Sequence, residues 1–153
     1  EVRKLLHIED LAYRKYNELS AGLHQKVTIA RGLVQETPVV ILDEPTANLD
    51  VQYQVYVTEM LRAIAESKGL IVLMICHDLN IAAKYSHRII MLARPGVVHA
   101  VGTPEEVITE ENLEAVYHIR NRIISDDKSS AKEGMEVTVP HVILGEAIIE
   151  DDQ

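Results

Sequence analysis

The sequence has 153 residues, 47% apolar and 25% charged, with a net charge of −9. These figures describe one ordinary globular domain and exclude a mainly disordered or collagen-like chain. A lone cysteine, Cys76, excludes an internal disulfide framework and fits a reducing compartment.

The first stretch, residues 1–18, places Val2, Leu5, Leu6, Ile8 and Leu11 at helical spacing. From Ser20 to about Gln35 the pattern is again helical, with Val27, Ala30, Leu33 and Val34 as one apolar stripe. Pro38 then opens Val39-Val40-Ile41-Leu42, a continuous run expected to be a strand buried on both faces. Asp50 is the expected cap of a helix to about Lys68, which Gly69 ends. Leu70 to Cys76 reads as a second buried strand, and strand, helix, strand predicts a parallel pair. Asp78 caps a short helix through Tyr85. Arg88–Ala93 and Val97–Val101 flank Arg94-Pro95-Gly96 as a hairpin. Thr103-Pro104-Glu105-Glu106 is a helix start with a capping box, and a last helix covers about Glu110–Tyr117. Arg120–Ile124 and Val137–Leu144 read as two strands around a polar loop, Ser125–Glu136.

Residues 125–153 hold eight acids and two bases, so most of the negative charge belongs to the end of the chain. An acidic chain is a poor nucleic-acid binder, because such binding draws affinity from Lys and Arg on phosphates. No apolar run reaches the ~18 residues of a membrane span, and no secretory leader is visible. The start at Glu1, in mid-pattern, reads as that of a fragment.

Three places can carry chemistry. Leu19-Ser20-Ala21-Gly22 puts small residues at a helix start, where open amides and the dipole favour an anion such as phosphate. On its own it reads equally as a plain serine cap. Asp43-Glu44 follows the first apolar strand, at the carboxyl end where open α/β sheets place their ligands. Asp43 could help hold a divalent metal and leave Glu44 to take a proton from water; alone, the pair reads equally as a solvated strand end. His77 follows the second strand and falls on the same rim as Glu44 if the strands are neighbours. His7, His24, His87, His99, His118 and His141 have no such placement, and no His/Cys pair has zinc-ligand spacing.

In this order the three places resemble the nucleotide-binding domain of the ATP-binding cassette (ABC) family. Leu19–Leu23, continued by Lys26-Val27-Thr28-Ile29-Ala30-Arg31, is similar to its signature motif. Val39–Asp43 resembles the Walker B strand with Glu44 as the catalytic carboxylate, Ala47–Asp50 the D-loop, and His77 the switch histidine. The resemblance covers residues 1–118 and implies an α/β fold, a mainly parallel sheet flanked by helices, with a β-hairpin-like extension over 119–153. Ala21 stands where the family has its first signature Gly and Leu23 where it has Gln. Leu23 lacks the polar contacts of a Gln, which bears on the strength of this half-site and not on its identity. No Walker A string, Gly-x-x-x-x-Gly-Lys-Ser/Thr, occurs in these residues. The chain therefore resembles the C-terminal half of such a domain.

The resemblance implies ATP and Mg2+ as cofactors and a head-to-tail dimer with a second nucleotide-binding domain. Ser20 and Gly22 would contact the γ-phosphate in trans, Asp43 would hold magnesium through water, and Asp50 would link the two sites. Glu44 would activate or polarise the attacking water, and His77 would orient the γ-phosphate and the water. Transmembrane permease subunits at the cytoplasmic face of the membrane would be the other partners. Ser86–Leu92, Val101–Val107 and Thr109–Tyr117 narrow the resemblance to importers of iron–siderophore, haem and cobalamin, and Pro140-His141-Val142-Ile143 to their extra C-terminal strand. The ATPase lobe of an SMC-type chromosome protein also carries signature, Walker B and switch histidine without Walker A. It should lack the Gly-Thr-Pro-Glu-Glu pattern found at residues 102–106. A non-catalytic regulatory module is the third reading, and the intact Asp43, Glu44 and His77 count against it.

Overall fold

The computed structural model describes residues 2–126 and 139–148. They divide into two compact units, Glu1–His77 and Asp78–Gln153.

The first unit opens with a single helical turn, α1 (Val2–Leu5), and two short 3-10 turns, Glu9–Tyr13 and Tyr16–Glu18. Helix α2 (Ala21–Leu33) is capped by Ser20, whose side chain accepts the Leu23 amide. Ile29, Ala30 and Leu33 are buried along it, while Val34 is exposed. The helix ends at Leu33, so the predicted stripe loses its last member, and Ile29 supplies the contact instead.

Strand β1 (Val39–Leu42) runs parallel to β2 (Ile71–Met74), with helix α3 (Val51–Lys68) between them in sequence. Each end of α3 is held by a local device. Asp50 Oδ1 accepts the Tyr53 amide at 2.9 Å, and Gly69 closes the helix with a left-handed φ of 63°. Asp50→Ala should therefore lower thermal stability by about 1 kcal/mol, the usual loss for such a cap, read as a fall in melting temperature.

The core of this unit gathers Ile29 and Leu33 of α2, Val57, Leu61 and Ile64 of α3, and Val40 and Leu42 of β1. Each such side chain contributes roughly 1.5–3 kcal/mol when fully buried. The expectation that both strands are covered on both faces is corrected here. Val40 and Leu42 point into the core, but Val39, Ile41, Ile71, Leu73 and Ile75 are exposed. Alternate residues of a strand face opposite ways, and the core helices pack on one face of this two-stranded sheet.

The second unit holds α4 (Leu79–Tyr85), the antiparallel pair β3 (Ile89–Ala93) and β4 (Val97–Gly102), α5 (Pro104–Val107), α6 (Glu110–Tyr117), and the antiparallel pair β5 (Ile119–Asp126) and β6 (Val139–Ala147). Asp78 caps α4 through the amides of Asn80 and Ile81, and the Glu106 carboxylate accepts the Thr103 amide at the start of α5. Met91, Val107, Ile108, Leu113 and Val142 form the core. The Asn80 side chain joins β6 as a peptide unit would, donating to the Val142 carbonyl and accepting its amide.

The fold is thus mixed α/β, with one parallel pair and a C-terminal hairpin. Of the expected loop Ser125–Glu136, Ser125 and Asp126 continue β5 and the remainder lies outside the described residues. The acidic end beyond residue 148 lies outside them too.

Candidate functional site

Both strands of the parallel pair end at the same rim. Val39 is level with Ile71 and Leu42 with Met74. The Ile75 amide donates to the Leu42 carbonyl, extending the ladder one step beyond β2. Asp43 and Glu44 thus leave β1 where Ile75, Cys76 and His77 leave β2. The geometry brings Glu44 and His77 together: Nε2 of His77 lies 2.7 Å from Oε1 of Glu44. An ionised carboxylate only accepts, so the proton of that bond belongs to Nε2.

The turn that presents Glu44 is backbone-strained. Its φ is 44°, and Asn48 four residues on has a φ of 59°. A non-glycine residue held in an unfavourable backbone region costs on the order of 1–3 kcal/mol. Pro45 and Thr46, both buried, pin the turn behind it. The Ala47 amide closes back on the Glu44 carbonyl at 3.0 Å.

The Glu44–His77 pair does not offset this cost. Its side chains are 45% and 76% exposed, and exposed pairs contribute only about 0–1 kcal/mol. The pair is therefore not what holds the fold together, and strain kept at the end of a strand points to a function. Nothing in the sequence signals this left-handed backbone.

Ser20, Gly22 and Asp50 sit at the N-terminal turns of α2 and α3. Ser20 and Asp50 are exposed caps, whereas Gly22 is buried. Ala21 is the first helical residue of α2, with no positive φ, so alanine at this position brings no backbone strain. Leu23 is half-buried and packs on the core of the first unit. An apolar side chain there exchanges polar contacts for packing. Asp43 stands exposed beside Glu44. Among the described residues, no three His, Cys, Asp or Glu side chains converge as a metal-binding group.

Residues 1–47 match the family described as ABC transporter. Over 119 residues the chain is 48% identical to an uncharacterized ABC transporter ATP-binding protein of Methanocaldococcus jannaschii, covering 78% of this chain and 46% of that protein. It is 40% identical over 119 residues to the ferric enterobactin transport ATP-binding protein FepC of Escherichia coli, covering 78% and 44%. Among solved structures, an inward-facing ABC transporter provisionally assigned to the metal-chelate type superposes with a TM-score of 0.82 at 26% identity. That match covers 95% of this chain and 55% of the other. The chain spans about half the length of these relatives.

Proposed function

Because the chain belongs to the ABC transporter family of ATP-binding proteins, we propose that it forms part of an ATP-hydrolysing subunit that energises import across a membrane. The cargo is a metal chelate of the iron–siderophore, haem or cobalamin class. The observation that carries the reading is the 2.7 Å contact between Glu44 and His77 at the rim of the parallel pair.

ATP supplies the phosphoryl group that is transferred to water, and ADP departs as the bond between its terminal oxygen and the γ-phosphorus breaks. Glu44 Oε1 receives the proton that the water loses, and His77 Nε2 fixes the direction of that carboxylate. General-base assistance of this kind is worth about 10²–10⁴ in rate. Ser20 and Gly22 offer backbone amides at the start of α2 to a γ-phosphate held by the partner domain, in line with the affinity of helix N-termini for anions. Asp43 would hold magnesium, which would offset the charge of the phosphates. A single carboxylate fits an ion that keeps several of its own waters and takes other ligands from phosphate. Asp50 links the two sites of a head-to-tail dimer.

Residues 1–118 belong to the cassette in this reading and 119–153 form an extension. Among the described residues no helix is long and apolar enough to cross a membrane. That fits a peripheral subunit docked on permease partners at the cytoplasmic face.

Nothing in residues 1–153 matches a Walker A loop, and positioning of the phosphates is nearly all of phosphoryl-transfer catalysis. The purified 153-residue chain should therefore release no phosphate from ATP above background, while a full-length protein carrying it should do so with magnesium. Magnesium-dependent release from the chain alone, lost on Glu44→Gln, would show that these residues hold the nucleotide unaided. A full-length protein with no ATP turnover would defeat the functional reading.

A further inference from the structure

Resting on the ATPase reading, we propose that Tyr53 is a positioning residue: its ring seats on Gly22 and fixes the Ser20–Gly22 turn to the Asp50 turn as one piece. Gly22 is buried, and a Cβ built on it would stand 2.7 Å from Cε1 and 2.8 Å from Cδ1 of Tyr53. The ring therefore occupies the space that any other residue at position 22 would need. Tyr53 is also tied at its backbone, where its amide donates to Asp50 Oδ1 at 2.9 Å. One residue thus touches both stretches assigned to the γ-phosphate and the dimer contact.

A second rung repeats the arrangement. Lys26 Nζ lies 4.6 Å from the centre of the Tyr56 ring, and the Tyr56 and Tyr53 rings meet edge-on with centroids 6.4 Å apart. Gly22 and Lys26 are four apart on α2, and Tyr53 and Tyr56 three apart on α3, so each pair shares a helix face. The Ser20-Ala21-Gly22 turn has little side chain of its own to hold it, and the Tyr53 ring opposite does this. The amides of Ser20–Gly22 serve a phosphate only where they are aimed at it, and a small misplacement of such donors is costly.

The test is a double-mutant cycle in the full-length protein, reading kcat and KM for ATP well below each variant's melting temperature. Tyr53→Ala should lower kcat about tenfold or more with KM within about twofold, because aim and not initial nucleotide binding is lost. Tyr53→Phe keeps the ring and should keep most of kcat. Gly22→Ala should cost about tenfold in the parent but little further in the Tyr53→Ala background, where the obstructing ring is gone.

Equal cost of Gly22→Ala in both backgrounds would mean that Gly22 serves only the approach of phosphate, and would overturn the proposal. So would a parent-like kcat for Tyr53→Ala. Should Tyr53→Ala not fold, Tyr53→Leu runs the same cycle. A full-length parent with no magnesium-dependent ATP turnover would overturn the ATPase reading and the proposal with it. Turnover lost on Glu44→Gln yet indifferent to Tyr53→Ala overturns the proposal alone.

Discussion

Glu44→Gln in a full-length protein carrying this chain should lower ATP turnover by about 10²–10⁴-fold, the range for loss of a general base. Glutamine keeps the size and shape of the side chain and can still meet His77, so the turn after β1 should survive. It cannot take a proton from water. ATP binding should therefore persist, and the nucleotide-bound dimer should accumulate because the step that reopens it is blocked, a shift of population by a ligand that favours one state. Size-exclusion chromatography with ATP and magnesium reads the dimer, and phosphate release reads the turnover. The melting temperature should barely move, since the exposed pair with His77 contributes little to stability. Normal turnover in the variant would remove Glu44 from the role of base.

The devices that were legible in the sequence are local ones. Asp50 before α3, Gly69 after it, Asp78 before α4 and Glu106 reaching back to Thr103 act within a few residues of themselves. The parallel pairing of β1 and β2 was legible too, because an 18-residue helix between two apolar runs leaves little choice of topology. From that pairing the meeting of Glu44 and His77 follows.

What escaped the sequence is set by groups far apart in it. The left-handed φ of Glu44 depends on how Pro45 and Thr46 are buried. Tyr53 has the pattern of an ordinary helix-surface residue, and only the fold brings its ring onto Gly22, 31 positions earlier. Val34 kept the helical period one residue past the point where α2 ends. The strands β1 and β2 are covered on one face only, and the apolar face left open is what a chain resembling the C-terminal half of a domain is expected to expose. Val39-Val40-Ile41-Leu42 has the same composition whether both of its faces are packed or only one.

That uncovered face gives the second large expectation. The purified 153-residue chain should self-associate as its concentration rises and bind a hydrophobic dye. Val39 lies beside Ile71 and Ile41 beside Leu73. With Ile75 they make one apolar face, on which Ile41 is 71% and Ile71 64% exposed. The β3–β4 pair of the second unit exposes Ile90, Leu92, Val98 and Val101 in the same manner. Covering an aliphatic side chain of this size gains roughly 1.5–3 kcal/mol, so several together outweigh the usual cost of a weak dimer. Unpaired strand edges add a template for pairing with another copy.

Ile41→Glu separates this effect from a general failure to fold. In the isolated chain position 41 already faces water, so the change should leave stability within about 0.5 kcal/mol, as for ordinary surface substitutions, while reducing association and dye binding. A longer protein that carried this chain and had the length of its relatives would have further chain to lay on that face. There the same charge would be buried without a partner and should destabilise by several kcal/mol, on the order of 3–5. Light scattering over a concentration series, dye fluorescence and thermal melting of both lengths read the contrast. A chain that stays monomeric at all concentrations and binds no dye would show that the exposed face needs no cover. An Ile41→Glu full-length protein as stable as its parent would show that the further chain does not lie on it.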